Sequence, residues 1–172
     1  MEKKAIRYKW ILYVTMMFVV MVLQTTILSH ITIFGASAMH LLLFAVATIA
    51  MLEGTTSGAL AGLFTGVISD AMLPISDGFY TILYVFCGIL VSFASGFVFW
   101  KNYWVTLLYL LVSIFVCRFV YYVFFFVLFG NAHVLSLFWS IPAEFFITAL
   151  FTPVLYPLIV KISRRTNADL EA

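Results

Sequence analysis

The sequence predicts an all-α integral membrane protein, a compact bundle of about six transmembrane helices with both termini cytoplasmic. Three observations predict it. Of 172 residues, 65% are hydrophobic and 9% charged, where a soluble domain carries roughly 25% charged residues. An aqueous core of this size could not hide so much apolar surface, so the bilayer must be the solvent. Apolar stretches recur along the whole chain between short polar breaks, and the basic residues gather on alternate breaks. Phenylalanine alone contributes 19 residues, which suits long lipid-facing helices. The net charge of +2 is dispersed over span ends and forms no basic patch, so no nucleic-acid partner is expected.

A span needs about 20 apolar residues, somewhat fewer where the bilayer thins or flanking residues snorkel. Residues 1–172 read as one membrane domain with six such stretches. The first is 10–28, preceded by Lys3, Lys4, Arg7 and Lys9. It exceeds the roughly 7–15 residues of a signal-peptide core, and the small run Ala36-Ser37-Ala38 comes late, so it reads as an uncleaved span. The second, 38–52, and third, 58–73, are short, with Glu53-Gly54-Thr55-Thr56-Ser57 as the tight turn between them. Merging them would leave Glu53 at mid-membrane without a reason.

The fourth span is 79–99, the fifth 103–129 and the sixth 137–162. In the sixth, Pro142 is expected in the first turn, where a missing N–H costs nothing. Pro153 and Pro157 are interior, and the carbonyls they free must find other donors. The outer loops are expected at 29–37, 73–78 and 130–136.

Topology follows from the charges. Lys3, Lys4, Arg7, Lys9, Lys101, Lys161, Arg164 and Arg165 share one face, eight of the nine Lys and Arg. The positive-inside rule makes that face cytoplasmic. Trp10, Trp100 and Trp104 fall at the inner interface and Trp139 at the outer, as an aromatic belt requires.

Two stripes of small residues stand out. Gly58, Gly62 and Gly66 line one face of the third span, and Gly88, Ser92 and Gly96 repeat the spacing on the fourth. Such stripes let membrane helices approach closely, either within the chain or against a partner's helix. Asp70 continues the first stripe.

Asp70, Arg118 and Glu144 are the ionisable residues inside spans. At about 1.5 Å per residue, they lie roughly 18, 22 and 26 Å from the cytoplasmic boundary. All three fall in the outer half, and an unpaired charge there is costly. Arg118 is therefore expected to pair with Asp70, Glu144 or both. The cluster reads as a structural clamp, a docking contact or the floor of an outward pocket.

Other chemistry is not indicated. Cys87 and Cys117 lie in apolar runs without a CxxC spacing and read as packing residues. His30, His40 and His133 stand near the outer surface on separate loops or span ends and match no metal motif. No nucleophile–base set, phosphate loop or cofactor motif is present, so neither an enzyme nor a cofactor is expected.

The stretch Leu23-Gln24-Thr25-Thr26-Ile27-Leu28, then Ile33-Phe34-Gly35 and Glu53-Gly54, leads into the run from Gly58 to Asp70, with Gly78, Tyr80, Tyr84 and Gly88 beyond. This pattern resembles the bacterial rod shape-determining membrane protein MreD family. The similarity covers nearly the whole chain in architecture, but its motifs lie in residues 23–88; Arg118 and Glu144 gain nothing from it. The resemblance implies a non-enzymatic scaffold in the bacterial cytoplasmic (inner) membrane. Such a scaffold binds MreC and helps couple a RodA-type glycosyltransferase and a class B penicillin-binding transpeptidase to MreB filaments. On that reading the glycine face and Asp70 are candidates for helix docking, and Lys161, Arg164 and Arg165 could touch anionic lipid or a cytoplasmic partner.

A different class, the substrate-capture subunit of an energy-coupling-factor vitamin importer, also has about six spans. There the three intramembrane charges would line a ligand pocket. Those subunits carry alanines four apart on the first span, and residues 10–28 contain no alanine.

Overall fold

The computed structural model describes residues 2–26, 40–72, 78–97, 102–129 and 134–171. His30, Trp100, Lys101 and His133 lie outside the described residues, as do most of the expected outer loops and the side chains of Lys3, Lys4, Phe125, Trp139 and Arg165.

Six helices and no strand make up the described chain: α1 Glu2–Thr26, α2 Leu41–Glu53, α3 Thr55–Met72, α4 Phe79–Ser95, α5 Tyr103–Phe129 and α6 Val134–Glu171. Three contain stretches long and apolar enough to cross a membrane: Ile6–Thr26, Tyr103–Phe124 and Ile141–Arg164. α2 and α4 are shorter apolar helices.

Several boundaries differ from the sequence reading. The five-residue turn after α2 shrinks to Gly54 alone, whose φ of 91° ends one helix and starts the next. Glycine takes that backbone conformation without a Cβ penalty. Glu53 thereby closes α2, while Thr55, Thr56 and Ser57 form the first turn of α3. α4 stops at Ser95, short of Phe99. α6 begins at Val134, so Pro142 is interior, not in the first turn.

The missing donor at Pro153 is compensated locally. Thr152 Oγ1 donates to the carbonyl of Ala149 at 2.8 Å, the acceptor an ordinary residue 153 would have served. In an apolar surrounding such a carbonyl needs a donor of this kind.

α2 is the centre of the bundle. It packs against all five other helices, and every residue from His40 to Met51 is buried. A helix apolar on all sides suits such a central, enclosed position. The other helices turn large side chains outward, including Phe18, Ile82, Phe93, Leu108, Phe146 and Leu150, the last 74% exposed.

Cross-helix contacts give the order of directions. Lys9 at the start of α1 and Ser163 late in α6 both reach Glu53 at the end of α2. Arg118 late in α5 reaches Glu144 early in α6, beside His40 at the start of α2. Successive helices therefore alternate in direction, and the start of α1 shares an end of the bundle with the far part of α6.

Candidate functional site

The two small-residue stripes pack against each other. A Cβ on Gly62 would stand 2.7 Å from the main-chain carbon of Tyr84 and 2.8 Å from the nitrogen of Val85. One on Gly66 would stand 2.9 Å from Thr81 N, and one on Gly88 would stand 2.8 Å from the carbonyl carbon of Gly58. On its other side Gly58 would meet Ala50 of α2 at 2.6 Å. These partners are mostly main chain, which cannot swing aside, so only glycine fits. Thr55 and Ser92 extend the seam through a hydroxyl–hydroxyl hydrogen bond of 3.0 Å. Gly96 does not belong to it; a Cβ there would meet only Phe93 of its own helix.

Asp70 ends the seam as a cap for a neighbouring helix. Its Oδ1 accepts from Tyr80 N at 2.9 Å. Its Oδ2 accepts from Thr81 N at 2.9 Å and Thr81 Oγ1 at 2.6 Å. α4 starts after Gly78, which has a φ of 85° and no capping side chain. The open N–H groups and positive end of the helix dipole are met by a carboxylate from α3. This corrects one expected pairing: Asp70 is bonded to a helix terminus and not to Arg118. A carboxylate four residues beyond Gly66 points along the same face into α4, and the nearest donors there are backbone.

Arg118 pairs instead with Glu144. Its Nε donates to Glu144 Oε2 at 2.9 Å and its Nη2 to Oε1, a two-pronged contact. Glu144 is fully buried, and His40 Nε2 lies 3.2 Å from Oε2. Thr148, one turn further along α6, accepts from His40 N at 3.2 Å and donates to the carbonyl of Glu144 at 2.7 Å. The cluster thus ties α2, α5 and α6, with α3 absent. Each carboxylate oxygen is engaged, which is the condition for keeping such a charge in an apolar interior. Removing the cation alone would cost about 3–5 kcal/mol.

A small cavity of about 40 Å³ adjoins this cluster, lined by His40, Phe79, Tyr80, Leu83, Cys117, Arg118 and Tyr121. It suits water or a side-chain tip, since ligand clefts run to roughly 300–1,000 Å³.

The opposite end holds a second, partly buried cluster. Glu53 accepts from Lys9 Nζ, from Tyr13 OH at 3.0 Å and from Ser163 Oγ at 2.6 Å. Lys9 is 8% exposed. From the sequence, Lys9 is a topology marker, Glu53 a turn residue and His40 a residue near the outer surface; the structure makes all three members of ion-pair clusters. The available signal was positional. Both termini and Glu53 map to the same predicted face, where Glu53 is an acid set against basic neighbours.

Cys87 on α4 and Cys117 on α5 are buried with their Sγ atoms 3.6 Å apart. Thirty residues separate them in sequence, so spacing gave no hint of the encounter. Among the described residues, no three His, Cys, Asp or Glu side chains converge to hold a metal ion. Compared with protein-family models, characterised proteins and solved structures, the chain gives no match.

Proposed function

We propose that this chain is a multi-pass protein of the bacterial cytoplasmic membrane, with six spans and both termini cytoplasmic, acting as a non-enzymatic scaffold of the rod-shape elongation machinery. One observation carries the reading. Part of the set that bears the resemblance to the MreD family is in mutual contact: Gly58 meets Gly88, Gly62 meets Tyr84, Gly66 meets Tyr80 and Thr81, and Asp70 caps Tyr80. Scattered coincidences in an apolar sequence would not converge on one seam. Alternating helix directions and the basic residues near the Glu53 end favour the cytoplasmic placement of that end.

In this function the α3–α4 seam is internal framework. The glycine face and Asp70 are occupied within the chain, so a partner such as MreC would meet the outward apolar faces. A protein whose polar side chains are largely bonded to one another can recognise other membrane proteins only through packing of such faces, its connections and its ends. MreC, with RodA-type glycosyltransferase, class B transpeptidase and MreB beyond it, is the partner set this reading names.

The importer-subunit alternative has one observation in its favour, a cavity beside Arg118 and His40. At about 40 Å³ it is too small for a vitamin.

Affinity purification of the tagged protein from its host in mild detergent, followed by mass spectrometry, tests the choice. Recovery of MreC with wall-synthesis enzymes supports the scaffold. Recovery of transporter ATPases with a membrane coupling subunit overturns it.

A further inference from the structure

α6 carries a groove of about 370 Å³ lined by Tyr156, Pro157, Val160, Lys161 and Arg164. This is ligand-sized, unlike the cavity at the other end. Its composition follows from helical spacing. Pro157, Lys161 and Arg164 stand at i, i+4 and i+7, one face of the helix, and Tyr156 and Val160 form the adjoining row. The proline ring and Val160 give an apolar floor without a free N–H. Tyr156 closes one side, its ring edge-on to Tyr103 at 5.4 Å between centroids.

The two cations are exposed at the rim. Among the described residues neither Lys161 nor Arg164 has an acidic partner. The partly buried acid at this end, Glu53, already accepts from Lys9, Tyr13 and Ser163. An apolar trough leading to two exposed cations, beside a tyrosine and without an acidic partner among the described residues, has the profile of a site for an amphiphile with a negative head.

We propose that this groove is a binding site for one anionic phospholipid of the cytoplasmic leaflet, its acyl chain along Pro157 and Val160 and its phosphate between Lys161 and Arg164. The assignment rests on the six-span reading with the α6 end cytoplasmic. Anionic headgroups there attract basic residues at span ends, by about fivefold in affinity per cation. A bound lipid would fix α6 at the height where its helix leaves the membrane.

The test is native mass spectrometry of the full chain in a zwitterionic detergent, titrated with dioleoyl phosphatidylglycerol or dioleoyl phosphatidylcholine. Preferential binding of the phosphatidylglycerol is expected, weakened about 25-fold in K161Q/R164Q. The control R7Q, which removes an exposed cation of α1 at the same end, should keep the affinity. Val160→Trp, which fills the trough and leaves both charges, should also weaken binding. Equal binding of the two lipids, or unchanged affinity in K161Q/R164Q, overturns the site. Full competition by soluble glycerol phosphate overturns the lipid assignment, since the acyl chain would then contribute nothing. Carbonate extraction of membranes from the same cells separates the two readings. A chain released by carbonate defeats the six-span reading, whereas a retained chain without lipid preference defeats only this site.

Discussion

Gly62 of α3 and Tyr84 of α4 meet main chain to main chain, leaving no space for even a single methyl group between them. The two helices are held at the separation that glycine permits, and dispersion between closely approaching backbones holds them together. This contact sits mid-way along a seam that begins at Thr55–Ser92 and ends at Asp70.

Gly62→Leu should therefore destabilise the protein far more than a change on an outward-facing side. Overpacking of this kind costs about 1–3 kcal/mol or more. Leu150→Phe, at a position 74% exposed, serves as the comparison. Thermal unfolding in detergent measures both. Equal midpoints would show that the seam does not set the helix spacing.

Arg118→Leu should lower folded yield in membranes and reduce stability by about 3–5 kcal/mol, because Glu144 is left buried and charged. The double variant R118L/E144L should recover much of that loss, since an apolar pair has no desolvation penalty. Normal yield and thermal stability in the single variant would remove the ion pair as a fastener of α5 to α6.

Asp70→Ala should cost about 0.5–2 kcal/mol, the range for losing a helix cap. Asp70→Asn, which keeps one acceptor oxygen, should cost less. Amide hydrogen exchange at Tyr80 and Thr81 reads the effect locally. Unchanged protection there in D70A would mean that the carboxylate does not hold the start of α4.

Cys87 and Cys117 should crosslink on treatment with copper phenanthroline, losing two hydrogens by intact mass. Their sulfurs are 3.6 Å apart, in contact and close to the roughly 2.0 Å of a disulfide. Failure of wild type to crosslink under conditions that oxidise an exposed thiol pair would contradict the α4–α5 packing.

Each structural feature was legible to a different degree. The apolar runs of α1, α5 and α6 announced themselves through length and composition, and α5 occupies the residues read for the fifth span. The small-residue faces were also visible, because a four-residue spacing marks a helix face wherever the helix lies. Ends of elements were harder. Gly54 acts as the whole turn because of one positive φ, and Pro142 sits inside α6 because the helix starts at Val134. Neither follows from hydropathy.

By itself the sequence determined that the chain is helical and too apolar for an aqueous core, which residues share each helix face, and that the charges within its apolar runs need partners. Those properties depend on composition and on spacing along one helix, so they are local. Only the tertiary structure decided the pairings. It gave Arg118 and His40 to Glu144, Asp70 to the start of α4, Lys9 to Glu53, and Cys87 to Cys117. The physical reason is that a buried donor or acceptor takes whichever complementary group the packing brings within about 3 Å. Packing is set by where the glycine seam lets α3 and α4 close on α2, a relationship among helices that no single helix records.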